Sequence, residues 1–265
     1  MKPYWWCTAG VREWSVVQTE SGAVMTLRDW PGMATICPRL EGNCGDYTGL
    51  VLSRDAAPDT VTVPLGEGAA IDAGDGVAAW LQAALKTECR LVRRSAARFD
   101  SHPFSVVFQE SVDDLAGQLA CTAFATGTSG LSPSTAELAM RFRPNFCLSG
   151  FGPWPEQRIG ALAIGGVLLA ATSNAWASGC RTVTRTNPIT GEIHPEQPAA
   201  ALCSGHHMME GEGDPIFGMK LEGGTDAAAT ACEGHIVIAE PRGAPPPSAE
   251  ALAEVRSPPL PRATR

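Results

Sequence analysis

Cys180, in the stretch "SGCRTVTRTNPITGEI" (178–193), is the first residue whose setting suggests chemistry. A thiolate is a strong soft ligand for a metal, but one thiol among nine needs no special role. The segment after it reads as a tight turn. Pro188 presets φ, Asn187 bonds the backbone just beyond it, and Gly191 tolerates positive φ. The flanks "RTVTRT" and "EIH" read as strands, so Cys180 stands at the mouth of a hairpin. Other reactive types are less promising. His206 and His207 lie beside Cys203, but in a Gly/Met/Glu loop without ligand spacing. "ATGTSG" (125–130) resembles a phosphate loop in composition only, since no Lys follows. Ser149 and Ser178 lack a His–Asp relay.

The elements that must position these residues are mostly strands. Residues 11–28 read as a hairpin, with "WSVVQT" and "AVMTLR" as its arms and "ESG" as its turn. Strand-like pieces follow at Ala34–Cys37, Gly49–Ser53 and Thr60–Pro64, which suggests a small barrel or sandwich. Residues 75–88 change period: Val77, Trp80, Leu81, Ala84 and Leu85 share one helical face, with Asp75 as a candidate cap. "CRLVRRS" then reads as a strand, and residues 96–131 show no clear pattern. Ser134-Thr-Ala-Glu137 fits a capping box and opens a second helix, which must end before Pro144. Beyond it, "NFCLSG", "ALAIGGVLLAAT", "CRTVTRT", "EIH", "IFGMKLE" and "HIVIAE" are all strand-like, with a loop at 203–215. The expected fold is mainly β with a few helices (α+β).

Length and charge set outer limits. A chain of 265 residues can bury a real core in one large or two small domains. Net charge is −8; the segment 242–265 contributes +2, leaving −10 on residues 1–241. So acidic a body is a poor nonspecific nucleic-acid binder, and an anionic ligand needs a local basic cluster. The nine cysteines are odd in number and never spaced C-x-x-C, which excludes a zinc ribbon and a thioredoxin motif. Reduced thiols and the lack of a secretory signal at the start point to an intracellular compartment. The longest apolar run, near Ile164–Ala171, is too short to span a bilayer. Residues 242–265 are rich in Pro and Ala and read as a disordered tail.

Four stretches, taken in order, resemble one family: "GVREWSVVQTESGAVMTLRDWP" (10–31), "AAWLQAALKTECRLVR" (78–93), "RFRPNFCLSG" (141–150) and "IGALAIGGVLLAATSNAWASGCRTVTRTNPITGEIHPEQP" (159–198). "PIFGMKLE" and "GHIVIAEP" (215–222, 234–241) add a weaker fifth. Together they resemble the MOSC-domain proteins, named after the C-terminal domain of molybdenum-cofactor sulfurase, over roughly residues 8–241. The most specific pieces are Arg-Phe-Arg-Pro-Asn and Cys…Asn-Pro-x-Thr-Gly. The part before them is similar to the β-barrel domain that precedes MOSC in amidoxime-reducing proteins. The resemblance implies a MOSC N-terminal-like barrel over 1–115 and a MOSC domain over 116–241.

It also implies a cofactor, molybdenum held by a pyranopterin dithiolene with a cysteine as additional ligand; pyridoxal phosphate binding attaches to the family only at the family level. On the family pattern Cys180 holds the metal, and Arg12, Arg143 and Asn145 hold the pterin and phosphate. The residue types agree with that assignment, since Arg keeps its charge and presents a planar fork to phosphate. The plainer alternatives are an exposed helix-end charge for Arg143, a turn residue for Asn145 and an edge-strand residue for Arg12. The implied activity is reduction of N-hydroxylated compounds. Electrons would come from an external donor, a cytochrome b5-like protein or a flavoprotein, and the compartment would be cytoplasmic or mitochondria-associated. A non-catalytic cofactor carrier and an inactive, truncated relative are the alternatives.

The chain departs from the family pattern in three places. The opening Tyr-Pro-x-Lys-Ser strand is missing, which would leave a barrel with an open edge. Counting forward from Ile164-Gly165 puts the ligand position at Ser178, and counting back from Thr190-Gly191 puts it at Arg181; Cys180 is the only thiol between. The last strand carries Ala239-Glu240 where the family has Gly-Asp.

Overall fold

The computed structural model describes residues 14–43, 46–54, 57–65, 72–93, 104–120, 134–164, 167–178, 185–204, 216–223 and 237–241. Arg12, Cys180, His206, His207 and the tail 242–265 lie outside these residues. The described fold is mainly β with a few helices.

The N-terminal portion is built from two small sheets around one core. β1 (Trp14–Gln18) pairs antiparallel with β5 (Cys89–Arg93) along its whole length. β2 (Ile36–Asn43), β3 (Asp46–Arg54) and β4 (Ala57–Pro64) form an antiparallel three-stranded meander. α1 (Asp75–Leu85) packs into the same core, with Val77 and Leu81 buried against Leu50, Leu52, Val63 and Leu91. That face is the one the 3.6-residue period marks. Asp75 is not the cap, however. Gly74 occupies the N-cap without a side-chain bond, and Asp75 pairs instead with Arg90 of β5 at 2.9 Å.

The hairpin expected at 11–28 forms only in part. Val24 bridges Val17, and Met25 N–H donates to Val16 carbonyl at 2.9 Å. No second strand continues, because Thr26 bonds locally. Its hydroxyl donates to Asp29 and accepts from Arg28 N–H, turning the chain at 26–30. Likewise Ala34 and Thr35 belong to a short 3₁₀ turn (Pro31–Thr35), and the strand starts only at Ile36.

The second portion is a six-stranded mixed sheet in the order β11-β8-β9-β10-β6-β7. Its members are β6 (Phe104–Phe108), β7 (Phe146–Leu148), β8 (Ile159–Ile164), β9 (Val167–Ser178), β10 (Ile216–Gly223) and β11 (Val237–Pro241). Only β6 and β7 run parallel. Helices α2 (Gln109–Ala120), α3 (Thr135–Arg141) and α4 (Ala199–Ser204) bury Val112, Leu115, Leu138 and Leu202 with Val107 and Phe217 of the sheet. Val106, Phe108, Leu162, Met219 and Leu221 make a separate core. Val106, Val107 and Phe108 thus alternate between two cores, as a pleated strand requires.

β10 does not alternate simply. Phe217 and Met219 are two residues apart, yet they enter different cores. A bulge between Ile216 and Met219 inserts the extra residue that reverses the faces. Gly218 makes it possible: its φ is +76°, and a Cβ there would come within 2.4 Å of the Val106 carbonyl oxygen. β6 and α2 occupy the stretch whose sequence shows no clear pattern. Residue 115 lies inside α2, and the two portions part between Arg93 and Phe104.

Candidate functional site

α3 begins as its sequence requires. Ser134 is the N-cap, and its hydroxyl accepts from Glu137 N–H at 3.1 Å. The reciprocal half of the box is replaced by a longer-range contact. Glu137 Oε1 accepts from Arg141 Nη2 at 2.7 Å and from Asn187 Nδ2 at 3.2 Å. Arg141 is only 4% exposed, and its Nη1 donates to the Arg185 carbonyl at 3.0 Å. A buried guanidinium is tolerable only when paired in this way.

The Asn-Pro turn forms as expected. Asn187 Oδ1 accepts from Ile189 N–H at 2.7 Å and Thr190 N–H at 3.0 Å. Thr186 bridges Ile193, and Gly191 has φ +77°. Gly191 also seats the turn on the N-terminal portion. A Cβ there would lie 3.4 Å from both Gly32 Cα and Thr35 Cγ2. His194 closes the segment: its Nδ1 accepts from Glu196 and Gln197 N–H at 3.1 and 2.8 Å. Partial burial, then the Arg141 charge, pushes its pKa below the ordinary value, which keeps that nitrogen an acceptor.

Just past α3, Arg143 is exposed in the left-handed region with φ +49°. Such a backbone costs about 1 kcal/mol for a residue with a Cβ. Its N–H donates to Met140 carbonyl at 3.0 Å, and among the described residues its guanidinium has no hydrogen-bond partner. It therefore offers a charged fork to an anion. Asn145, two residues on, is different. It is 4% exposed, and its Oδ1 accepts from Ser105 N–H at 2.8 Å and Ser105 Oγ at 3.2 Å. Its own N–H donates to Ser105 carbonyl at 2.8 Å. Asn145 thus holds β7 to β6, and that oxygen is engaged in the fold rather than turned to a ligand.

Of the expected site, the described residues bring Arg143 beside the Glu137–Arg141–Asn187 network; Cys180 and Arg12 lie outside them. The group fits Arg143 and does not fit the Asn145 oxygen. No group of three or more His, Cys, Asp or Glu side chains able to hold a metal occurs among the described residues. Cys89 and Cys147 are poor thiolates. Burial raises the Cys89 thiol; the Cys147 side chain reaches the surface, but the protein packed around it, then Glu110 and Asp113, raise its thiol as well. Glu137 was legible as part of a capping box, but nothing in the local pattern announces its contact to Asn187 or that of Arg141 to the Arg185 carbonyl. Among the described residues, no helix is long and apolar enough to cross a membrane. No protein-family model matches the chain, and no curated protein is significantly similar to it.

Proposed function

We propose that this chain binds a molybdenum cofactor in the manner of MOSC-domain proteins and reduces N-hydroxylated compounds with electrons from a separate redox protein. One observation carries the reading. Arg141 of the Arg-Phe-Arg-Pro-Asn motif and Asn187, which opens the Asn-Pro-x-Thr-Gly part of the Cys…Asn-Pro-x-Thr-Gly motif, both donate to Glu137 Oε1, and Arg141 also donates to the Arg185 carbonyl 44 residues on. Arg143 leaves that network with an exposed guanidinium and a strained backbone, a combination that favours a binding role.

In this reading the Cys180 thiolate holds the metal, and Arg143, with Arg12, holds the phosphate and pterin. Asn145 supports Arg143 from behind by fastening β7. When bound, the cofactor supplies the redox chemistry. The chain's own residues bind it, orient it and balance its negative charge. The electron donor is a cytochrome b5-like protein or a flavoprotein.

Molybdenum content tests the proposal directly. The chain, expressed in a host that makes the cofactor, is expected to carry near-stoichiometric metal by mass spectrometry, and Cys180→Ser is expected to lose it. Equal metal in both would remove Cys180 as the ligand. A metal-free wild type would overturn the reading.

A further inference from the structure

A second buried polar cluster lies apart from this network, between α2 and the segment Gly150–Arg158. α2 fastens that segment at three points. Glu110 Oε1 accepts from Gly150 N–H at 2.5 Å. Ser111 Oγ accepts from Trp154 N–H at 2.9 Å and donates to Glu156 Oε2 at 3.0 Å. Asp114 Oδ2 accepts from Trp154 Nε1 at 2.9 Å. The segment closes over aromatic rings: Trp154 meets Phe217 edge-on at 5.7 Å, and Phe151 meets Phe108 at 5.4 Å. Trp154 itself is held at φ +54°, so closure works against its backbone preference.

Glu156 is the unusual member. It is 1% exposed, Ser111 is fully buried, and Glu156 Oε1 has no hydrogen-bond partner among the described residues. An ionised carboxylate in such a place loses its hydration without full replacement. A solvated helix–loop contact would not need a carboxyl at this depth. We propose that the Gly150–Arg158 segment is a proton-operated latch, closed on α2 while Glu156 is a neutral acid and opened when that acid loses its proton to solvent. The inference is independent of the cofactor reading.

Around Glu156, α2 brings Glu110, Asp113 and Asp114, none of which stabilises a second anion. β10 brings Gly218 and Phe217 nearby, and Lys220 and Glu222 further along the strand. The turn itself brings Arg158, which favours the ionised form. Burial is the largest influence and raises the carboxyl pKa; the N–H groups of Glu156 and Gly218, the Ser111 hydroxyl and Arg158 oppose it. A raised folded-state pKa fixes the sign. The closed segment is fully stabilised below the ordinary carboxyl range, and that stabilisation is lost as pH rises through the folded value.

Hydrogen exchange on the full chain, corrected for the intrinsic pH dependence, tests the latch between about pH 5 and about pH 8.5. Peptides covering 150–158 are expected to lose protection between the ordinary carboxyl range and the folded pKa, by up to roughly tenfold per pH unit, the slope for one proton, and to level off above it, while β2–β3 peptides stay level. Glu156→Gln is expected to remain closed and flat. Ser111→Ala removes a donor that favours the ionised form in the closed segment, so the pH at which the loss levels off should move higher. Constant wild-type protection, a wild-type slope in the Gln variant, or an unmoved levelling point in the Ala variant would each overturn the proposal. If the Gln variant does not fold, the wild-type slope and the Ser111→Ala levelling point still decide.

Discussion

Arg143 and Asn145 flank one proline and do different work. Pro144 is buried, so the chain cannot swing freely between them. Arg143 points a cation outward from a left-handed backbone, whereas Asn145 turns inward and bonds Ser105 three times. The distinction makes a prediction. Asn145→Ala leaves the part-buried Ser105 N–H without its acceptor, at a cost of about 1 kcal/mol or more. Urea unfolding should show that loss, and cofactor content per folded molecule should hold. A selective loss of cofactor with unchanged stability would instead return Asn145 to the binding residues. The "RFRPN" string announced both residues but not this division, because only the neighbouring strand decides which way an Asn faces.

At the scale of elements, α3 is too short to be stable alone, and it is held by its ends. Ser134 caps the start, and the Glu137–Arg141 pair ties the last turn to the Asn187 turn. Removing Glu137 takes the paired carboxylate from a buried guanidinium, so Glu137→Ala should cost about 3–5 kcal/mol in chemical denaturation. Protection of peptides covering 185–194 should fall with it. A loss below about 1 kcal/mol would mean that the pair behaves as a surface ion pair and that the turn stands unaided. The capping box was visible as Ser-x-x-Glu, and its first bond forms. The second bond yields to Arg141 and Asn187, since a Glu already paired across the fold cannot also reach back to its own cap.

In the whole molecule, the strand that matters most is β10. It lies between β9 and β6 and changes face at Gly218, so the helix-covered core and the opposite core meet along it. Gly218→Ala combines a left-handed backbone with a Cβ pressed on the Val106 carbonyl. A loss of about 3 kcal/mol is expected in thermal or urea unfolding. A neutral result would mean that the bulge can relax without reversing the faces. The Asn-Pro turn also serves at this scale, because Gly191 rests on Gly32 and Thr35 and so links the two portions.

Local physics was readable from the chain. The face of α1, the cap of α3, the bonds of Asn187 and the positive φ of Gly191 each depend on residues within a few positions, and each formed as expected. The β-rich character followed from alternation in the same way. The exceptions fall outside what alternation and period record. The second arm of the first hairpin, the roles of Asp75 and Asn145, the face reversal at Gly218 and the burial of Glu156 were all settled by partners 15 or more residues away or by a competing local turn. Period and propensity register only neighbours along the chain; a hydrogen bond or a close approach between distant strands exists only once the sheet has assembled.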